Sequence, residues 1–136
     1  MKALTVEATI ENIETVTGFV TEELERINCP VKTQAQISIA IDELFGNIVH
    51  YAYQPEVGTA TIKLYTEENP LTVIIIFSDN GIPFNPLMQA EPDIHAGIES
   101  RQVGGMGIFL VKKLMDLVEY SYRDGQNILL IRKTIA

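Results

Sequence analysis

Ala40-Ile41-Asp42-Glu43-Leu44-Phe45-Gly46-Asn47-Ile48-Val49-His50-Tyr51-Ala52-Tyr53 is the stretch on which the reading of the fold turns. At about 100° per residue, Ile37, Ile41, Leu44, Ile48 and Tyr51 fall on one stripe, which predicts a helix with one core-facing side. Glu43 and Asn47, a turn apart, sit together on the flank of that stripe. A carboxylate and an amide are thus held side by side at the edge of a core. For an arbitrary Glu and Asn at this spacing a solvated helix surface is the commoner explanation. The pair acquires meaning only if something else faces it.

Upstream, Leu4, Val6 and Ala8 alternate with Thr5 and Glu7 as a short strand. From Thr9 the period changes: Ile13, Val16, Val20, Leu24 and Ile27 recur at helical spacing, with Glu11, Glu14, Glu22, Glu23 and Glu25 expected mostly on the other side. Asn28-Cys29-Pro30 should end that helix, because the residue before a proline is pushed out of the helical region. The helix of Glu43 and Asn47 is predicted from Lys32 to Tyr53, closed by Gln54-Pro55-Glu56-Val57-Gly58.

Downstream, Thr59–Thr66 and Leu71–Ser78 read as a strand pair around Glu67-Glu68-Asn69-Pro70. In the second strand Leu71, Val73, Ile75 and Phe77 project to one face, and the next residue on that face is Asp79, so an acid ends an apolar row. Asn80-Gly81-Ile82-Pro83-Phe84-Asn85-Pro86 turns the chain. The weakly periodic segment that follows, with Pro92 and His95, is long for a connection, which favours a lid at about residues 80–106. Gly104-Gly105-Met106-Gly107 then opens a helix through Ile108, Leu110, Val111, Leu114 and Met115. Val118–Tyr122 and Gln126–Arg132 close the chain as a hairpin on Arg123-Asp124-Gly125. This order predicts a single domain over residues 1–136: an α/β (α+β) two-layer sandwich, its mixed sheet mainly antiparallel, with helices on one face.

Composition narrows the function. A net charge of -8 disfavours a binder of the nucleic-acid backbone, which depends on basic surface, and leaves proteins or small molecules as partners. Cys29 stands alone and the histidines are only His50 and His95, so neither a disulfide framework nor a Cys/His metal centre is indicated. Apolar runs fall short of the roughly 20 residues that span a bilayer, and Met1–Glu7 does not read as a signal peptide. No membrane association and a cytoplasmic location are therefore expected.

Three motifs carry chemistry. The side-chain oxygen of Asn47 suits a hard divalent ion that keeps its other positions for phosphates and water, and Glu43 could polarise a hydroxyl attacking a terminal phosphate. Asp79, finishing a buried row, needs a hydrogen-bond donor. An exocyclic amino group of adenine is one, and a turn-starting Asp bonding to its own loop is the plainer alternative. Glycines at a helix mouth allow backbone amides to approach phosphate, although a hinge would also use them. Neither a P-loop nor a Rossmann fingerprint is present, since no Gly-Lys-Ser/Thr follows and the run succeeds a loop rather than a strand.

Taken together, in this order, the three resemble the GHKL ATPases. Glu43-Leu44-Phe45-Gly46-Asn47 looks like the N box, Asp79-Asn80-Gly81-Ile82-Pro83-Phe84 the first glycine box, and Gly104-Gly105-Met106-Gly107 the second. The Asn47–Tyr53 continuation and Gly107–Asp116 are most similar to anti-sigma factor serine/threonine kinases of bacterial partner switching. The resemblance implies a Bergerat ATP-binding fold with Asn47 on magnesium, Glu43 as catalytic base, Asp79 on the adenine amino group and Gly81 beside the base. Gly104, Gly105, Met106, Gly107 and Ile108 would line the phosphates, with Arg101 as a further candidate contact. It also implies ATP and Mg2+ as cofactors, a sigma factor and a STAS-domain anti-anti-sigma protein as partners, and a homodimer. Two readings stay open beside kinase activity: an ATP-binding regulator that binds a partner without phosphorylating it, and a detached histidine-kinase catalytic domain. Lys112 and His50 are read as solvated surface and as a partly buried structural histidine.

Overall fold

Asp79 and the row it ends become the centre of the sheet. The computed structural model describes residues 1–53, 56–88 and 107–135 in full and the backbone of 105 and 106. Its elements are β1 (Lys2–Glu7), α1 (Asn12–Arg26), α2 (Val31–Asn47), β2 (Thr59–Glu67), β3 (Thr72–Asp79), α3 (Gly105–Leu114), β4 (Leu117–Arg123) and β5 (Gln126–Thr134). The strands form one sheet in the order β1-β2-β3-β5-β4, with every pairing antiparallel. β3 is central. Val73, Ile75 and Phe77 on its helix side are buried, and so is Ile74 on the other side, where it lies in register between Tyr65 and Arg132. Arg132 reaches across β3 to an ion pair with Glu67.

The helices lie on one face, as the two-layer expectation requires. Leu24 of α1, Ile37, Ile41 and Phe45 of α2, and Ile108 and Val111 of α3 meet Ile62, Leu64 and Phe77 of the sheet in one core. Each such side chain contributes about 1.5–3 kcal/mol by leaving water. No helix of the described residues is long and apolar enough to cross a membrane.

Three local features depart from the sequence reading. First, α1 ends before Asn28 as expected, but Asn28 closes it rather than the proline. Asn28 adopts φ 59°, its N–H bonds Glu25 O at 3.0 Å, and the Cys29 N–H bonds Leu24 O at 2.9 Å. That is a left-handed closure satisfying the last carbonyls, with Asn doing the work glycine usually does. Second, Glu23 is not on the solvent side. It is buried and receives Lys2 Nζ at 2.9 Å and Arg26 Nε at 3.0 Å, with Arg26 Nη2 on its other oxygen. These partners, Arg26 foremost, hold its carboxyl down at about 2. Third, α2 does not run unbroken to Tyr53: after Asn47 it widens into a π-turn, Ile48–Ala52. The extra residue in the turn rotates Tyr51 off the core stripe, leaving it exposed and stacked on Phe84 at 4.9 Å between ring centroids. The hairpin at Asp124 and Gly125 forms as read, with φ of 52° and 77°, the left-handed pair that such a two-residue turn requires.

Candidate functional site

α2 brings Glu43 and Asn47 to the edge of α3. Asn47 is buried and Glu43 half-buried, and Glu43 Oε1 and Asn47 Nδ2 are shielded from solvent with no hydrogen-bond partner among the described residues. Orphaned buried polar atoms are uncommon in a folded chain because each costs about 1–3 kcal/mol. Burial pushes the Glu43 carboxyl up, and the adjacent Asn47 amide pulls it partly back by its proximity, although the two do not reach hydrogen-bond geometry. The carboxylate lies directly on Gly107 in the first turn of α3, where an added Cβ would come within 1.9 Å of Oε2. Only glycine permits that approach. The first turn of a helix also carries amides without intrahelical partners, so acid, amide and donors converge on one spot.

Asp79 lies on the floor of an adjoining cavity. Leu44, Ile48, Phe77 and Leu129 give it apolar walls, and Asn47, Asp79, Tyr120 and Asn127 bring its polar groups. Its volume is about 30 Å³, room for two or three waters at roughly 10–15 Å³ each. The Asp79 carboxylate is buried; Oδ1 accepts the Gly81 N–H at 2.9 Å and Asn127 Nδ2 at 2.9 Å. The plainer alternative for Asp79 is realised, since it caps its own turn through Oδ1, while Oδ2 takes no hydrogen bond from the described residues and stays open to a donor. Burial raises its pKa, and Asn127 and then Gly81 pull it back. Gly81 sits against the end of the π-turn, where an added Cβ would fall 2.3 Å from Ala52 O. The neighbouring Ile82 N–H bonds that same carbonyl at 3.0 Å.

Asn127 and Tyr120 were absent from the sequence reading. Asn127 pairs in register with Asp79 across β3 and β5, and it too ends an inward row, followed by Leu129 and Ile131. The pattern that singled out Asp79 was therefore present a second time. Tyr120 gave no such signal, since its phenol meets Asn127 only through the pairing of β4 with β5.

Of the remaining candidates, Ile108 turns its side chain into the core, which leaves only its backbone to the site. Gly105 and Met106 lie in the first turn of α3. Arg101, Gly104, His95 and most of the expected lid fall outside the described residues; the part that is described ends in a short 3-10 turn at Pro86–Met88. Lys112 is solvated surface as read. His50 is exposed rather than partly buried, its ring edge-on to Tyr51 at 6.3 Å. No cluster of three or more His, Cys, Asp or Glu able to hold a metal occurs among the described residues. A magnesium ion bound through one side-chain oxygen beside phosphate is compatible with that, and the Asn47 amide next to the Glu43 carboxylate fits it.

The sequence model of the histidine kinase-like ATPase domain matches residues 6–133. Among curated proteins, the serine-protein kinase RsbW of Bacillus mycoides is 27% identical over 131 residues, covering 93% of this chain and 74% of its own length. Its Bacillus cereus counterpart is 28% identical with the same coverage. Among solved structures, the RsbU and RsbW domains of Rv1364c from Mycobacterium tuberculosis align over 99% of this chain and 33% of theirs, with a TM-score of 0.65 and 18% identity. The catalytic domain of the histidine kinase ThkA aligns over 99% of this chain and 98% of its own, with a TM-score of 0.52 and 13% identity. At such identities the two structures speak for the fold.

Proposed function

The chain belongs to the histidine kinase-like ATPase domain family, and on that premise we propose that it is an ATP-dependent serine kinase of the anti-sigma type. In this reading it phosphorylates a serine of a STAS-domain anti-anti-sigma partner and sequesters a sigma factor in the cytoplasm. The observation that carries it is the orphaned pair, Glu43 Oε1 and Asn47 Nδ2, set beside the first turn of α3. Serine-protein kinases among the relatives support the reaction class.

Each residue then has a task. Asp79 Oδ2 accepts the 6-amino group of adenine, and Gly81 keeps the turn clear of the base. The amides of Gly105, Met106, Gly107 and Ile108 point at phosphate from a helix N-terminus, where charge and geometry favour an anion; Gly104 and Arg101 precede them in sequence. The Asn47 side-chain oxygen holds Mg2+, which when bound offsets the charge of the phosphates. Glu43 orients the serine hydroxyl and accepts its proton. A carboxylate whose burial raises its pKa is the stronger base once ionised, which is the direction general-base work needs.

Homodimerisation is part of the same reading, and the open face of the sheet supports it. Lys63, Ile76, Leu130 and Glu119 form one register row across β2, β3, β5 and β4, a cation and an anion flanking two apolar residues. A second copy turned about an axis parallel to the strands sets each Lys63 over a Glu119.

The test is incubation with magnesium, labelled ATP and STAS-domain proteins of the same organism. Label on a serine is the expected result. Tight ATP binding with no transfer to any of them would favour the regulator that binds without phosphorylating.

A further inference from the structure

Asn127 is a buried amide whose hydrogen-bonding capacity is completely used. Nδ2 donates to Asp79 Oδ1 at 2.9 Å and to Ile82 O at 2.8 Å. Oδ1 accepts the Phe84 N–H at 3.0 Å and the Tyr120 hydroxyl. An amide has two N–H donors and two lone pairs, so nothing remains with which Asn127 could bind a ligand directly. Its bonds run to the end of β3, to both sides of the turn that walls the cavity, and to β4.

The effect on Asp79 is directional. Oδ1 is saturated by Asn127 and the Gly81 N–H, so the acceptor offered to a base is Oδ2 alone, held in one orientation. Protonated, the same oxygen would become a donor, suited to a 6-oxo purine instead. We propose that Asn127 is the positioning residue that keeps Asp79 a one-sided hydrogen-bond acceptor and so sets the preference of the site for a 6-amino over a 6-oxo purine. This rests on the ATP-site reading above.

The surroundings leave that task to Asn127. Among the described residues lining the cavity, Asp79 is the one carboxylic acid. The titratable groups facing it among the described residues are the phenols of Tyr53, from the segment after the π-turn, and Tyr120, from β4; burial pushes both up, so they stay neutral through physiological pH. Among the described residues no cation stands by to hold the carboxylate ionised against its burial; a donated amide hydrogen and the Gly81 N–H do so.

The experiment compares ATP with inosine triphosphate, which carries oxygen at position 6, on the whole chain of the parent and of Asn127→Ser and Asn127→Asp. Dissociation constants are measured from about pH 5 to about pH 8, within which an unperturbed Asp stays ionised. The parent should prefer ATP by a ratio that declines only towards the acid end, where its raised Asp79 begins to protonate. Asn127→Ser should show that ratio collapsing about tenfold on the acid side, with its midpoint raised by about one pH unit, the worth of a charge-assisted hydrogen bond. Asn127→Asp, which sets a second carboxylate against the first, should extend the collapse towards neutrality. Either variant suffices if the other fails to fold. Equal weakening of both nucleotides with an unchanged pH profile would overturn the proposal and leave Asn127 a packing residue. Failure of the ATP-site reading looks different: the parent would bind neither nucleotide, or Asp79→Asn would bind ATP as the parent does.

Discussion

Two half-hidden acids of the helical layer have opposite fates. Glu23 on α1 is buried yet surrounded by donors from Lys2 and Arg26, and its carboxyl is held at about 2. Glu43 on α2 has an oxygen sealed from water with no donor among the described residues, and burial pushes its pKa up. The first arrangement is what a fold does with an acid it uses as a strut, tying β1 to α1. The second leaves one carboxylate oxygen without a donor among the described residues, so the acid gains by meeting one. Asp79 stands between them, one oxygen saturated by Asn127 and Gly81 and the other without a hydrogen bond from the described residues. Satisfaction of hydrogen bonds, rather than burial, separates the strut from the candidate site here.

That contrast can be broken by substitution. Gly107→Ala drives a methyl group into the Glu43 carboxylate, which would lie 1.9 Å away; the flexible acid yields and the fold survives. Phosphate transfer should then fall roughly a hundredfold, the usual cost of misplacing a catalytic group by about 1 Å, with melting temperature nearly unchanged. Asp79→Asn leaves an acceptor for Gly81 but turns a donor towards the base, and ATP affinity should drop about tenfold to a hundredfold by calorimetry.

The sharpest comparison is one of sign. For Glu43 the folded-state pKa is raised, so its protonated form is favoured in the fold and stability is lost as pH rises through the carboxylate range. Glu43→Gln should therefore stabilise the chain by about 1 kcal/mol at neutral pH in denaturant unfolding. For Glu23 the folded-state pKa is depressed to about 2 from 4.5, so its contribution is present above that ordinary value and is lost as pH falls between the two. Glu23→Gln should cost about 1 kcal/mol or less at neutral pH, Lys2 and Arg26 being largely exposed. That difference should vanish below about pH 2. Equal signs for the two variants would dissolve the contrast.

Much of this was legible in the sequence, for identifiable reasons. Period-two and period-3.6 patterns place β2, β3 and α1 because their buried faces are long and regular. Asp79 stands out as an acid at the end of an apolar row, and the Gly104–Gly107 run as a helix opening. Asn127 obeys the same rule as Asp79, but an amide at the end of a row passes for an ordinary turn residue until its partners, 43 to 48 positions away, are seen. Glu23 was misplaced because helical phase sets the angle of a side chain but not whether cations from β1 and from its own helix converge on it. The π-turn is invisible for a similar reason: one extra residue in a turn leaves the apolar pattern of Ile48 and Ala52 intact while moving Tyr51 onto Phe84.

The account turns on Glu43 acting on a substrate rather than merely standing beside it. Glu43→Gln should be measured in one preparation for ATP affinity and for single-turnover transfer to the STAS-domain serine. The account predicts affinity within about threefold of the parent and transfer reduced by at least about a hundredfold, the scale of general-base loss. Transfer at the parental rate, or a loss of affinity large enough to explain the loss of transfer, would contradict it.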